Sequence, residues 1–269
     1  ALREKMSFSN KKGKIIAVTN QKGGVGKTTT AINIATSMAA IKKSVLLIDL
    51  DPQGNASTGL GVENKHRQVG AYEILGDNNN IEEAIQETII PGLKIIPATV
   101  DLSGVEIELV DAEDRMNRLQ RYSLMLKNKY DFIFIDCPPS LGLLTINALT
   151  AADSLLIPVQ CEFFALEGLS HLKKTITRIK EKLNKKIYIE GILLTMYDKR
   201  NRISLEVKEE VIKYFGKDVL KTIIPRNVRL AEAPSHGLPA ILYDINAPGS
   251  QAYISLAKEM IARITKGEN

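Results

Sequence analysis

Cysteine and histidine are scarce in this 269-residue sequence, and no apolar run approaches the ~20 residues that a membrane-crossing helix needs. Only Cys137 and Cys161 occur, and neither sits in a CxxC pair, which fits a reducing compartment and two buried small side chains. His66, His171 and His236 are scattered and form no metal-ligand spacing. Residues 1–14 are polar and basic with no apolar signal core, so a cytoplasmic location is expected. What is present is ordinary globular composition, 44% hydrophobic and 25% charged, in a chain long enough to bury a substantial core. Residues 1–13 lack periodicity and read as a flexible tail, leaving 14–269 as one domain. The net charge of +5 conceals an uneven distribution. Positions 171–229 carry 16 Lys and Arg against 7 Asp and Glu, whereas the remainder carries 20 against 24. A basic segment of that density suggests an anionic partner, although solvated helix faces account for many single lysines.

One stretch organises the rest. Gln21-Lys22-Gly23-Gly24-Val25-Gly26-Lys27-Thr28-Thr29-Thr30 follows the apolar run 15–18 and precedes Ala31, Ile32, Ile34, Ala35 and Met38, which sets strand, glycine loop and helix in order. That is the setting of a phosphate site. Three glycines let successive backbone N–H groups face one anion, and the helix behind adds the positive end of its dipole. Lys27 is placed to reach β- and γ-phosphates, and the Thr28 hydroxyl to meet Mg²⁺. The generic spacing asks for glycine where Gln21 stands, and the added feature is Lys22.

This variant resembles the deviant Walker A motif, KGGxGK[ST], of the superfamily that includes ParA/Soj partition ATPases, MinD and the nitrogenase iron protein. The resemblance implies ATP and Mg²⁺ as cofactors, a nucleotide cradle of Lys22, Gly23, Gly24, Val25, Gly26, Lys27, Thr28 and Thr29, and a Lys22 that crosses a dimer interface to the partner's nucleotide. Asp49-Leu50-Asp51-Pro52-Gln53-Gly54-Asn55, after the strand pattern at 45–48, resembles the family's Walker A′ segment, in which Asp51 orients the attacking water. Asp49 is the candidate for an indirect Mg²⁺ contact. Phe132-Ile133-Phe134-Ile135-Asp136 reads as a buried parallel strand ending in an acid and resembles a Walker B segment, with Asp136 holding Mg²⁺ through water. An iron–sulfur role for the cysteines is disfavoured, because neither has the glycine-rich surroundings of that cluster site.

Further strands are expected at 93–97, 154–158 and 189–195, and helices at 81–88, 115–127, 168–183 and 252–264. The alternation predicts an α/β fold: a doubly wound, mostly parallel sheet with helices on both faces, of the P-loop NTPase type. Segments 98–109, 141–149 and 159–168 resemble the chromosomal partition ATPases, the first of them with scaffold and interface duties. Met196-Tyr197-Asp198-Lys199-Arg200 and 224–237 resemble their base-side loops and DNA-contacting neighbours. By that resemblance Met196, Pro225 and Asn227 face adenine, and Arg200 and Arg229 face DNA.

The likeness spans about 14–263 and implies an ATPase, slow without its partner, that forms an ATP-dependent sandwich homodimer and binds double-stranded DNA without sequence preference. It also implies a ParB-type centromere-binding protein that stimulates hydrolysis, and a cytoplasmic, nucleoid-associated location. Two alternatives remain open. MinD carries a membrane-targeting helix where 252–264 lies, but Lys258, Arg263 and Lys266 are few for a membrane-facing cationic face, so core packing and no stable membrane association are expected. A metabolic enzyme of the superfamily, such as a dethiobiotin synthetase, requires a small-molecule pocket in place of the basic surface.

Overall fold

The apolar runs become the strands of one sheet in the computed structural model, which describes residues 12–76, 80–163 and 165–266. The expected tail at 1–13 therefore lies almost wholly outside the described residues. The strands are β1 (Lys14–Val18), β2 (Val45–Asp49), β3 (Gln86–Glu87), β4 (Leu93–Ile96), β5 (Phe132–Asp136), β6 (Ser154–Gln160) and β7 (Tyr188–Thr195). Their order is β3-β4-β2-β5-β1-β6-β7, and every pairing is parallel except β3 with β4. The longer helices are α1 (Lys27–Ala40), α2 (Leu143–Ala151), α3 (Ala165–Lys182), α4 (Arg202–Phe215) and α5 (Pro248–Lys266).

Alternation along the central strands builds two cores, one on each face. Ile15 and Ala17 of β1, Leu46 and Ile48 of β2, and Ile133 and Ile135 of β5 pack with α2, α3 and α4. Ile16, Val18, Val45, Leu47, Phe132 and Phe134 pack on the opposite side with α1 and α5. Near-continuous apolar strands are what a sheet covered on both faces requires. Pro158 is tolerated inside β6 because β1 pairs with that strand only as far as Val18 opposite Leu156. Beyond that point its carbonyl takes a hydrogen bond from the Asn20 side chain at 2.8 Å.

Two expected helices differ. The helix expected at 81–88 stops at Ala84, and Gln86–Glu87 turns back as the antiparallel edge strand. Gly92, in the left-handed region with φ 84°, makes the reversal, and the Thr88 hydroxyl ties it shut on the Leu93 carbonyl at 2.7 Å. The helix expected at 115–127 begins only at Ser123, after a 3₁₀ turn at Gln120–Tyr122. Tertiary bonds replace helical ones in the missing turn: Asn147 accepts from Leu119 N and donates to Arg115 O, and Arg118 donates to the carbonyls of Leu75 and Gly76. Helix α5 packs Tyr253, Leu256, Ala257 and Met260 into the core, and the Tyr253 hydroxyl bonds Thr30 of α1 at 3.0 Å. Its apolar face is thus occupied by the protein's own sheet layer.

Among the described residues, Arg67 holds the connection after β2 together with no carboxylate in its hydrogen bonds. Its guanidinium donates to Val62 O, Gly54 O, Ala98 O and the Thr58 hydroxyl, and the residue is buried. Arg67→Lys keeps the charge but cannot reach four acceptors from one ammonium, so it is expected to cost about 2 kcal/mol in urea unfolding, and Arg67→Ala about 3 kcal/mol. Leu256→Ala is expected to lower stability by about 2–5 kcal/mol, as for a well-packed core leucine. A loss under about 0.5 kcal/mol, the value for an exposed position, would mean that α5 does not pack in solution.

Candidate functional site

The site is built by register. Across β1, β5 and β2, Val18 stands level with Asp136 and Asp136 level with Asp49, so three strands end together where their connections must turn away. The ligand crevice of a parallel sheet lies beyond such carboxyl ends.

From Val18 the chain enters the glycine loop. Gly24 and Gly26 have φ of 75° and 87°, conformations that side-chain-bearing residues avoid, and Gly26 caps the N-terminus of α1. The loop is pinned from outside by the Thr195 hydroxyl, which donates to Val25 O at 2.8 Å, and from inside by Asn20, whose side chain accepts from Lys22 N at 3.0 Å. Lys27 is 7% exposed and its ammonium donates to Lys22 O at 2.9 Å, bent back over the loop it follows. Burial lowers its pKa, opposed by Asp136, Cys137 and Asp51. Lys22 pairs with Glu162 of its own chain, and both side chains are partly exposed. Gly23 is exposed, whereas Thr28 and Thr29 are half-buried on the first turn of α1.

Three carboxylates face this loop in different states. Asp136 is fully buried and neither of its oxygens makes a hydrogen bond of normal geometry. Burial, reinforced by Asp49, raises its pKa well above the carboxylate range, and the neighbouring Thr28 hydroxyl opposes that rise. A buried acid without donors, beside a hydroxyl at the first turn of a helix, has the chemistry that suits a divalent cation. Asp49 differs: its oxygens accept from Ser57 N at 2.9 Å, Ser57 Oγ at 2.7 Å and Asp51 N at 3.2 Å. Burial still raises its pKa to about 6. Its bonds go to protein donors, which suits it to shaping the turn. Asp51 follows on the same turn and is buried, with Oδ1 accepting from Gln53 N at 3.0 Å.

The base-side candidates come together through a short parallel pairing. Tyr197 N donates to Ile224 O and Arg226 N to Tyr197 O, which sets Met196 beside Pro225 and Asn227. Met196 holds a positive φ of 50°, and its methyl lies 3.9 Å from where a Cβ on Gly26 would sit, so these residues border the loop. Asn227 Oδ1 is buried without a partner, an acceptor suited to an exocyclic amine. Arg200 and Arg229 lie on the surface, and each is already paired. Arg200 forks onto Asp198 at 3.0 and 2.8 Å, while Arg229 bonds Glu232 at 2.8 Å and approaches Asp244 at 3.5 Å.

Sequence reasoning missed Ser57 and Arg67, the residues that fix the aspartate turn. No motif marks them; an arginine 16 residues beyond Asp51 has no periodicity to betray that it folds back. Cys137 and Cys161 are buried, and burial pushes the first thiol strongly upward and the second up to about 11, so both are protonated at neutral pH.

The family model of an AAA domain matches residues 13–189. The sporulation initiation inhibitor protein Soj of Bacillus subtilis is 56% identical, over 93% of this chain and 99% of that protein. The chromosome partitioning protein ParA of Caulobacter vibrioides is 51% identical, over 93% and 94%. Among solved structures, cobyrinic acid a,c-diamide synthase of Mycobacterium smegmatis, with bound ADP and magnesium, superposes with a TM-score of 0.83 at 33% identity, over 95% and 96%. That enzyme shares the scaffold, but its identity falls well short of the two partition proteins over the same span. The chain belongs to the Soj/ParA family of chromosome-partitioning ATPases.

Proposed function

We propose that this chain hydrolyses ATP with Mg²⁺ and that the bound nucleotide switches it between a free monomer and a DNA-bound sandwich homodimer. The observation that carries the reading is the level ending of β1, β5 and β2, which sets the glycine loop, Asp136 and the Asp51 turn around one crevice. Backbone N–H groups of residues 23–29 and the Lys27 ammonium bind the β- and γ-phosphates. Thr28 and Asp136 would hold Mg²⁺, which when bound would neutralise charge on the phosphate oxygens. Asp49 orients the turn by fixing Ser57 and the Asp51 backbone. Asp51 orients water for attack, and Met196, Pro225 and Asn227 receive the adenine. A ParB-type centromere-binding partner stimulates the slow hydrolysis and so releases DNA, in keeping with a cytoplasmic, nucleoid-associated protein.

The interface of the proposed dimer includes segment 98–110 and Lys22. Val100, Ile107 and Val110 are 70%, 79% and 55% exposed, an apolar surface that pairing of two subunits would cover. Within one subunit Lys22 is held by Glu162, and moving to the other subunit's phosphate would leave the partly exposed Glu162 carboxylate to solvent. The membrane-switch alternative loses its main support, because α5 spends its apolar face on α1 and the sheet.

Asp51→Ala is expected to bind ATP, to lose turnover at least ~100-fold, and to accumulate as dimer, since phosphoryl transfer depends mainly on positioning. Lys22→Ala is expected to bind ATP but remain monomeric in light scattering, whereas Lys27→Ala binds ATP poorly. Equal losses of ATP affinity in the two lysine variants would place Lys22 in its own subunit's site.

Dimerisation doubles any DNA-facing surface, so DNA affinity should require ATP and fall steeply with salt. Arg200→Ala and Arg229→Ala are each expected to weaken binding to unrelated duplexes alike and to lower the salt slope by about one unit for every DNA phosphate left without its arginine, with the ATP-dependent dimer intact. Because both guanidinium groups start from in-chain carboxylate partners, Asp198→Asn is expected to strengthen DNA binding. Wild-type DNA affinity in the double arginine variant, or strong preference for one duplex, would overturn the DNA reading and make liposome binding in ATP the next measurement.

A further inference from the structure

One peptide of the glycine loop is held from outside the loop. Val25 is buried, and its carbonyl accepts from the Thr195 hydroxyl at 2.8 Å, a donor 170 residues further along the chain. Two other loop carbonyls are satisfied locally: Lys22 O accepts from the Lys27 ammonium at 2.9 Å, and Gly26 O from Thr30 N of α1 at 2.9 Å. A trans peptide is planar, so its carbonyl and its N–H point opposite ways. Holding Val25 O toward β7 therefore turns the N–H of Gly26 away from β7. Glycine offers little resistance of its own to rotation of that peptide, so its direction depends on the outside bond.

Thr195 suits this task because it belongs to the sheet rather than to the loop. It is the last residue of β7, buried and paired in register with Gln160 of β6, and its own carbonyl accepts from Cys161 N at 3.3 Å. The next residue, Met196, leaves the strand with a positive φ of 50°, a backbone state that persists only where the surroundings enforce it. Thr195 Cγ2 and Met196 Cε lie 4.0 and 3.9 Å from where a Cβ on Gly26 would sit, so the strand end packs directly against the glycine whose N–H it aims.

We propose that Thr195 is a positioning residue for the phosphate site: its hydroxyl fixes the Val25–Gly26 peptide so that the Gly26 N–H is presented to the β-phosphate. This role rests on the reading of the loop as a nucleotide site, and adds to it a side chain of β7 that acts through Val25. Without the hydroxyl, Val25 O is a buried acceptor with no donor, and the peptide turns toward any donor within reach. The N–H on the same peptide then turns with it and leaves the phosphate.

The β-phosphate is what separates ADP from AMP, so the ratio of their affinities measures what that phosphate gains from the loop. The test titrates ADP and AMP, each with Mg²⁺, into the full chain by calorimetry. Thr195→Val keeps the shape and removes the donor: AMP affinity is expected to stay within about 2-fold of the parent, while the advantage of ADP over AMP falls at least ~10-fold, as for a lost hydrogen bond to a charged group. Thr195→Ser restores the hydroxyl and is expected to return that advantage to within about 2-fold of the parent. Thr195→Cys, whose thiol donates weakly, is expected to fall between them, at least ~3-fold below the parent, and carries the test if Thr195→Val does not fold. A side chain that only stabilised the fold would weaken both ligands alike and leave the ratio where it was. An unchanged ratio in the valine or cysteine variant, or a serine variant as impaired as valine, would overturn the role of Thr195 while the nucleotide reading stands. A parent chain that binds ADP no more tightly than AMP would instead overturn the nucleotide reading, and the role of Thr195 with it.

Discussion

A carboxylate sealed in the sheet with no donor of its own sets the terms for everything around it. Asp136 sits at the end of a strand whose other residues are wholly apolar, flanked by β1 and β2 in parallel register. Its charge is tolerable only beside compensating positive charge, and among the described residues the side-chain cation that the fold brings against it is the buried Lys27. The same ammonium must therefore serve both the acid and any phosphate that enters the loop. The crevice is balanced as a set, and a metal ion with its nucleotide alters every member of that set at once.

The central strands were legible because burial on both faces leaves an unbroken apolar run, which few other arrangements tolerate. The glycine loop was legible because left-handed backbone at Gly24 and Gly26 restricts residue choice to one type. The segments at 81–88 and 115–127 were not, because their outcome depends on partners far away in sequence. Asn147 stands in for a helical turn near Leu119, and Gly92 folds an edge strand onto β4. Arg67 was invisible for the same reason: its meaning lies entirely in the carbonyls it meets after folding.

The basic segment at 171–229 also reads differently in three dimensions. Several of its charges turn toward carboxylates or aromatic rings rather than to open solvent. Arg200 pairs with Asp198, Arg202 with Glu206, and Lys208 lies 5.6 Å from the centre of the Tyr197 ring. Net charge along the sequence thus overstates the charge that a partner would meet, since many of these groups arrive with a neighbour already in place.

The turn after β2 is tied to the chain that follows β4. Ala98 N donates to Ser57 Oγ, Ser57 Oγ donates to Asp49, and Asp49 accepts from Asp51 N, while Arg67 clasps Ala98 O and Gly54 O together. Residue 98 is also where the exposed apolar segment begins. A subunit docking on that segment would therefore press on a hydrogen-bonded linkage whose far end is the backbone of Asp51. In such a molecule a docked neighbour and the Asp51 backbone would stand at two ends of one lever, with Ser57 as its pivot.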